Sequence, residues 1–403
     1  MSEPTGPLEG LKVLELGQLI AGPFAGKFFA EFGAEVIKIE PPAGADGGGG
    51  DPLRKWRALH QGTSLWWYVQ NRGKKSVTAD LRSAEGREVA RRLALDADVV
   101  IENFRPGTLE KWGLDHSTLA ADNPGLIMLR LSGFGQSGPL KDLAGFGVVG
   151  EAMGGLRHIT GFPDRPPVRP NLSIGDGLAA LHGVIGVMMA LHHRARTGKG
   201  QVVDVALYEA VFNMLESVIP EFDMFGIVRE RSGSNLTGIV PSNSYPTSDG
   251  TWVVIGGNGD SIFRRLMAAI GRDDLGTDPA LADNAGRARR AQEIDGAIAA
   301  WTQRYGAEEV LRVMAQAQVP SSKIYTAADI VADAQYIARN MLRTIHLKDG
   351  TSLKVPGVVP RLTGTPGDIR APGPALGEHT DEVLKAHGYS DADIAALRAR
   401  RAI

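Results

Sequence analysis

The sequence predicts an α/β protein with a large doubly wound, Rossmann-like domain and a smaller α+β domain. Three observations predict it. Short apolar strands alternate with helical stretches from residue 12 to about 222, the pattern of a parallel sheet with helices on its faces. The first strand is followed by Gly17 and then by Gly22-Pro23, which opens a helix as proline in a first turn does. Near Asp223 the alternation falters, and a turn, one strand, a glycine loop and a run of helices follow, so the large domain is expected over 1–222 and a small domain over 223–330. The 403-residue chain is long for one core.

Taken in order, Lys12 to Leu16 is the first strand, a helix runs to Phe29 and stops near Gly33, and Glu35 to Glu40 is the second strand. This βαβ unit also describes a dinucleotide site, but Gly17, Gly22 and Gly26 lack the G-x-G-x-x-G spacing, which weighs against a NAD-linked dehydrogenase. A glycine-rich loop fills 41–51. The run Asn71-Arg72-Gly73-Lys74-Lys75-Ser76 leads into a third strand; such a cluster can hold phosphates, although a solvated turn is the commoner reading. A helix from Ala84 to Leu95 precedes the strand 98–102. Asn103, Phe104 and Arg105 leave its carboxyl end, where open α/β sheets bind ligands.

The strand 126–131 runs into Gly133-Phe134-Gly135-Gln136-Ser137-Gly138, which matches G-x-G-x-x-G but precedes Pro139 and no helix. It reads as a mobile loop. A further strand (201–205) and a helix (208–218) close the large domain, and Gly256-Gly257-Asn258-Gly259 follows the small domain's strand 252–255, with Asp260 expected to cap a helix over 262–270. Helices are expected over 283–317, a strand over 323–325, a hairpin at Asp349-Gly350 and a last helix from Asp391.

Composition excludes several classes. A net charge of −2 argues against a nucleic-acid surface, and the absence of cysteine removes disulfides, a thiolate nucleophile and cysteine metal sites, in keeping with a cytoplasmic protein. His192 and His193 diverge on a helix, and no metal site is expected. Residues 1–7 lack the basic start and apolar run of a secretory signal. The longest apolar run, 178–191, is shorter than the roughly 20 residues of a membrane span and reads as a buried helix.

Within this frame Asp176 stands out. A proline-rich loop, 157–175, delivers it to the start of that helix, where it is expected at the N-cap; free N–H groups and the helix dipole favour a carboxylate there. On the residues alone, a plain cap is the commoner reading.

The chain resembles the class III CoA-transferase family, which includes formyl-CoA transferases and alpha-methylacyl-CoA racemases. The resemblance rests on 13–40 with Ala21-Gly22-Pro23, on Glu102-Asn103-Phe104, on 161–176, on Thr197-Gly198-Lys199-Gly200-Gln201 and on 376–384. It implies that Asp176 is the nucleophile, covered by a glycine loop in which Gly256, Gly257 and Gly259 act on the reacting group. It implies that CoA, a substrate rather than a tightly bound cofactor, lies along Gln18, Leu19, Ile20, Arg72, Gly73, Lys74, Lys75, Asn103, Phe104, Arg105 and Lys111. It also implies an interlocked-ring homodimer, with 331–403 returning to complete the large domain. Acyl-CoA and carboxylic acids are then the partners, with neither nucleic acid nor membrane.

Two positions depart from the family pattern. A CoA-contacting arginine falls on Pro41, with Lys38 or Arg54 as candidate replacements; a glutamate near the nucleophile falls on Gly147, with Glu151 one turn later as substitute. Racemases carry His-Asp where this chain has Phe146-Gly147, so the second acid/base group for proton exchange is missing and transfer is favoured. The stretches around Glu151 and Asn258 look most like the branch that exchanges succinyl-CoA with C4 to C5 dicarboxylates. His158 and Arg169 are candidates for an acid's second carboxylate; the alternative is that such cations face solvent. A noncatalytic CoA-binding scaffold would keep Asn103 without needing Asp176.

Overall fold

Alternate residues of each strand face opposite sides of a sheet, and in the large unit both sides are apolar. In the computed structural model, which describes residues 6–44 and 48–403, six parallel strands form among the described residues: β1 (Lys12–Glu15), β2 (Glu35–Glu40), β3 (Lys75–Thr78), β4 (Val99–Glu102), β5 (Ile127–Ser132) and β6 (Val202–Ala206). The spatial order is β3-β2-β1-β4-β5-β6, the doubly wound arrangement that the alternation predicts. Val13, Val36, Val99, Ile101, Ile127 and Leu129 pack under α1 (Ala21–Glu31) and α4 (Ile174–Thr197). Leu14, Ile37, Ile39, Val100 and Met128 pack on the other side, with α2 (Ala84–Leu95) and the C-terminal helices α9 (Thr380–Ala386) and α10 (Asp391–Ala399).

The chain divides into two units. One comprises the described residues of Met1–Leu156, with Pro170–Glu216 and Ala338–Ile403; the other comprises Arg157–Arg169 and Ser217–Ile337. These boundaries differ from 222/223 and 330/331, and the first part of the proline-rich loop goes with the smaller unit. The returning segment is fastened to β3: Thr78 N–H donates to Thr380 Oγ1 at 3.0 Å, His379 N–H to Ser76 O and Asp80 N–H to Ala402 O. The hairpin expected at Asp349-Gly350 forms between β10 (Leu342–His346) and β11 (Ser352–Pro356), with Gly350 at φ +84°. The reading of the N-terminus concerns mainly residues 1–5, and the middle of the glycine-rich stretch is 45–47; both lie outside the described residues.

In the smaller unit β7 (Ser242–Pro246), β8 (Trp252–Gly256) and β9 (Ser321–Lys323) form an antiparallel sheet in the order β9-β8-β7. Tyr245, Val253 and Ile255 bury themselves against α6 (Asp260–Ala269), α7 (Ala291–Thr302) and α8 (Ala307–Gln316). The strand expected over 323–325 forms two residues earlier. The single helix expected over 208–218 is two, α5 (Leu207–Phe212) and a further one over Val218–Phe225.

The long apolar helix differs from expectation. It spans 24 residues, long and apolar enough by composition to cross a membrane, yet Ala179, Ala180, Val187 and Ala190 lie fully buried on the sheet. Its other side carries the exposed Leu181, Ile185, Met188 and Met189, so it is a sheet-covering helix with one apolar face outward.

Arg72 ties the chain's two ends together. Its guanidinium is wholly buried, donates to Glu31 Oε1 from Nε at 2.6 Å and to Pro356 O from Nη1 at 2.6 Å. Removing one partner of a buried pair leaves the other charge stranded. Arg72→Met is therefore expected to lower unfolding stability by about 3 kcal/mol, read as a shift of the urea midpoint at unchanged slope; an unchanged midpoint would refute the assignment.

Candidate active site

The loops that follow β1 and β4 meet where the strand order reverses. The Asn103 side chain grips the Gln18 peptide on both sides, its Oδ1 accepting from Gln18 N–H and its Nδ2 donating to Gln18 O, each at 2.8 Å. Leu19 sits at φ +63°, a left-handed conformation that a side chain disfavours, and its N–H donates to both carboxylate oxygens of Asp51, at 3.0 and 3.1 Å. Gln70 Nε2 donates to Ile20 O at 2.9 Å, and Lys38 Nζ to Gly17 O at 2.6 Å. Five backbone groups of 17–20 are thus held by four side chains. The structure brings Gln18, Leu19, Ile20 and Asn103 together, with Phe104, Arg105 and Lys111 following from the same end of β4.

Beneath this loop lies a closed charge cluster. Lys38 is paired with Glu15 and Asp51, both at 2.9 Å, and Lys74 donates to Glu15 Oε2 at 2.7 Å, to Pro23 O and to Asn71 Oδ1. Burial works against the Lys38 charge, but Asp51, Glu15 and Glu40 outweigh it and leave its pKa raised. Burial dominates at Lys74 and, with Lys38 nearby, brings its pKa down to about 8 although Glu15 opposes this. Asp51 is held below the usual range: burial pushes it up, but Lys38 and the N–H groups of Leu53 and Leu19 prevail.

Several expected CoA contacts are relocated by these pairs. Arg72 and Lys74 are buried and engaged inside the protein, so their side chains support the fold rather than present charge. Lys75 pairs with Glu35 and Glu382 where β3 begins, at the other end of the strands from Asn103; Gly73 N–H donates to Ala371 O. The replacements considered for Pro41 fail for the same reason: Lys38 is enclosed, and Arg54 makes two bonds to Glu40, at 2.7 and 2.8 Å, and lies over the Trp67 ring. Among the described residues, Arg105 and Lys111 are exposed cations without an ion pair.

Asp176 is the third residue of α4, not its N-cap; Ser173 occupies the N-cap position without a side-chain capping bond, and the half-buried Asp176 belongs to the first turn. It lies against the start of α3 (Gly147–Met153), where first-turn N–H groups lack intrahelical acceptors. The approach depends on missing side chains. A Cβ on Gly147 would fall 2.0 Å from Asp176 Oδ2, and one on Gly175 would fall 2.9 Å from Gly147 O. Glu151 is fully buried, and its Oε1 lies 3.5 Å from Gly175 N, so it braces the turn that carries Asp176.

The smaller unit holds the remaining candidates. In the glycine loop after β8, Gly256 N–H donates to Pro320 O and Gly257 N–H to Pro241 O, both at 2.9 Å. Those two N–H groups are therefore engaged, which corrects the expectation that they meet a reacting oxygen; the N–H groups of Asn258 and Gly259 remain. Gly259, not Asp260, occupies the N-cap of α6. A Cβ on Gly257 would meet Leu266 at 2.6 Å, so this glycine answers to packing. His158 is exposed, 3.5 Å from Glu230, and Arg169 is exposed in the same unit.

A doubly wound sheet whose loops meet at its switch point has the architecture in which α/β proteins bind ligands at the carboxyl ends of their strands, and the same unit carries a carboxylate on a helix start. A family model described as CoA-transferase family III matches residues 8–380. The succinyl-CoA–D-citramalate CoA-transferase of Chloroflexus aurantiacus is 51% identical over 99% of each chain, and the succinate–glutarate CoA-transferase of Agrobacterium fabrum is 35% identical over 94% of this chain and 95% of that one. A solved CAIB/BAIF family protein from Brucella suis superimposes with a TM-score of 0.82 at 34% identity, over 95% of this chain and all of that one. The chain belongs to CoA-transferase family III and is a class III CoA-transferase.

Two expectations follow. Gly147→Ala is expected to displace the Asp176 carboxylate and lower kcat/KM by at least roughly tenfold, about 1.4 kcal/mol, while the melting temperature moves little; full activity would mean that the contact is incidental. Glu102 titrates unusually. Burial raises its pKa from 4.5 to about 7, against the pull of Arg130 at 2.7 Å. A raised acid binds its proton more readily in the folded chain, so this contribution is complete below pH 4.5 and disappears as the pH rises through 7. Glu102→Gln is expected to remove about 3 kcal/mol of that fall from stability curves between pH 4.5 and 8; parallel curves would refute it.

Proposed function

We propose that the chain transfers CoA from a succinyl-CoA-type donor to a C4 to C5 dicarboxylate, as a cytoplasmic homodimer, with Asp176 as nucleophile. The single observation that carries the chemistry is the Asp176 carboxylate in the first turn of α4 and against the first turn of α3. Both helix starts favour the anion, and no side chain at 147 screens it. The donor and acceptor classes rest on the relatives, whose names specify succinyl-CoA with citramalate and succinate with glutarate.

The reaction balances without any further reagent. An Asp176 carboxylate oxygen attacks the thioester carbonyl carbon, the C–S bond breaks, and CoA leaves as thiolate from an acyl-aspartyl anhydride. The thiolate attacks the Asp176 carbonyl carbon, which releases the donor acid and leaves aspartyl-CoA. The acceptor carboxylate attacks that thioester to form a second anhydride and free thiolate, which attacks the acceptor's acyl carbon and restores Asp176. Developing negative charge on the carbonyl oxygens needs N–H donors, a role that the family resemblance assigns to the glycine loop. His158 and Arg169 are assigned to the acceptor's second carboxylate, and CoA is assigned to the loop 18–20, to Asn103 and Phe104, and to the exposed cations Arg105 and Lys111.

The homodimer reading is supported by apolar surface that a lone chain leaves wet. In the larger unit these are Leu181, Ile185, Met188 and Met189; in the smaller, Phe222, Met224 and Phe225.

Intact-mass analysis after incubation with succinyl-CoA and hydroxylamine tests the reading. A hydroxamate or CoA adduct on Asp176 is expected, absent from Asp176→Ala, whose activity should fall by roughly 10⁴-fold or more. Arg169→Ala should raise KM for the dicarboxylate alone. No adduct, together with α-proton exchange into deuterated solvent, would instead indicate racemisation.

A further inference from the structure

Of the four side chains that hold 17–20, the chemistry above uses only Asn103, and Asp51 is the one that holds a strained residue. Asp51 ends the glycine-rich stretch and begins a 3₁₀ turn (Pro52–Lys55), and its Oδ1 caps that turn by accepting from Leu53 N–H at 2.9 Å. A cap needs no more than this. Yet the carboxylate is fully buried, receives Leu19 N–H on both oxygens and is paired with Lys38. Its own N–H donates to Glu40 Oε2 at 2.9 Å, so backbone and side chain are both fixed. The chain reaches this position by a reversal that only glycine accepts: Gly49 and Gly50 lie at φ +127° and +70°, Gly50 N–H returns to Pro41 O, and a Cβ on Gly50 would strike Arg54 at 2.9 Å.

Leu19 explains what the device achieves. A leucine in the left-handed region reverts unless its surroundings hold it, and its N–H is the group that would swing away. With that N–H fixed on Asp51 and the preceding peptide fixed on Asn103, the segment meets a ligand already shaped. We infer that Asp51 is a positioning residue for CoA recognition: through Leu19 N–H it holds the loop 18–20 in its strained binding shape. This rests on the reading that CoA lies along 18–20.

The test uses the full-length protein, with CoA binding followed by calorimetry and steady-state kinetics beside it. Asp51→Ala, which leaves Leu19 N–H without an acceptor at this position, is expected to weaken the Kd for CoA and raise KM for succinyl-CoA by about tenfold, the equivalent of 1.4 kcal/mol, with kcat and the dicarboxylate KM within about twofold. Asp51→Glu keeps the charge facing Lys38 but pushes the carboxylate off Leu19, and should give the same loss if Asp51→Ala does not fold. Adding Leu19→Gly to either variant should restore most of the affinity, because glycine holds this conformation without help; a purely structural role would give no such rescue. Unchanged CoA affinity in both Asp51 variants, or a loss that Leu19→Gly leaves in place, overturns the inference. Asn103→Ala separates the two levels. If it weakens CoA binding and the Asp51 variants do not, the Asp51 assignment alone fails; if none of them affects CoA, the placement of CoA along 18–20 fails.

Discussion

The ammonium of Lys38 is the constraint on which the large unit's binding end is built. It sits in the second strand, wholly buried, with Glu15 of the first strand on one side, Asp51 on another and Gly17 O ahead. A lone buried charge is strongly unfavourable, so the fold is admissible only when both acids arrive. Glu15 arrives because β1 pairs with β2 in a register that sets it opposite Lys38. Asp51 arrives because the glycine-rich reversal folds it back. The same cation therefore selects strand register and chain reversal, and the loop after β1 inherits its shape from both. Replacing such a cluster by apolar residues could give a fold of similar stability, but it would not tell Leu19 N–H where to point.

Close backbone approach plays the corresponding part around Asp176. Gly147 and Gly175 let two helix starts meet, and the carboxylate lies where a side chain on Gly147 would otherwise be. The peptide groups of those two helix starts carry oriented partial charge beside it. The acid on the same helix, Glu151, is fully enclosed and braces the turn of Gly175.

Much of the fold was legible because two-residue and 3.6-residue periods are local properties. The strands and the crossover helices follow from alternation with short loops, while the order 3-2-1-4-5-6 is set by pairings between strands distant in sequence. What failed to show was long-range. Arg72, Lys74 and Lys75 read as an exposed basic turn because their partners, Glu31, Glu15 and Glu382, lie 41, 59 and 307 residues away. The glycine loop looked free because Pro241 and Pro320, which accept its first two N–H groups, are equally invisible from within the motif. The helix begins before Asp176 without a signal in the sequence, since Ile174-Gly175 carries no helical pattern and Ser173 holds the N-cap position without a side-chain bond. Asp51 before Pro52 had a legible signal too, since Asp-Pro favours a turn start; its second role in holding Leu19 did not.

The absence of a side chain at 147 bears on which chemistry the site can support. Racemisation needs one group to take the α-proton and another to return it, each with a pKa near the working pH. Phe146 and Gly147 offer neither, and Glu151 is enclosed one turn further on. Anhydride transfer makes no such demand. In the proposed route the nucleophile enters and leaves as a carboxylate, the leaving thiolate returns as the next nucleophile, and no proton has to be stored. A carboxylate at two helix starts, with no acid or base at positions 146 and 147, suits that sequence: one group could take an α-proton, but those positions supply no second group to return it. The glycine that brings Asp176 onto the start of α3 thereby also biases the enzyme toward transfer.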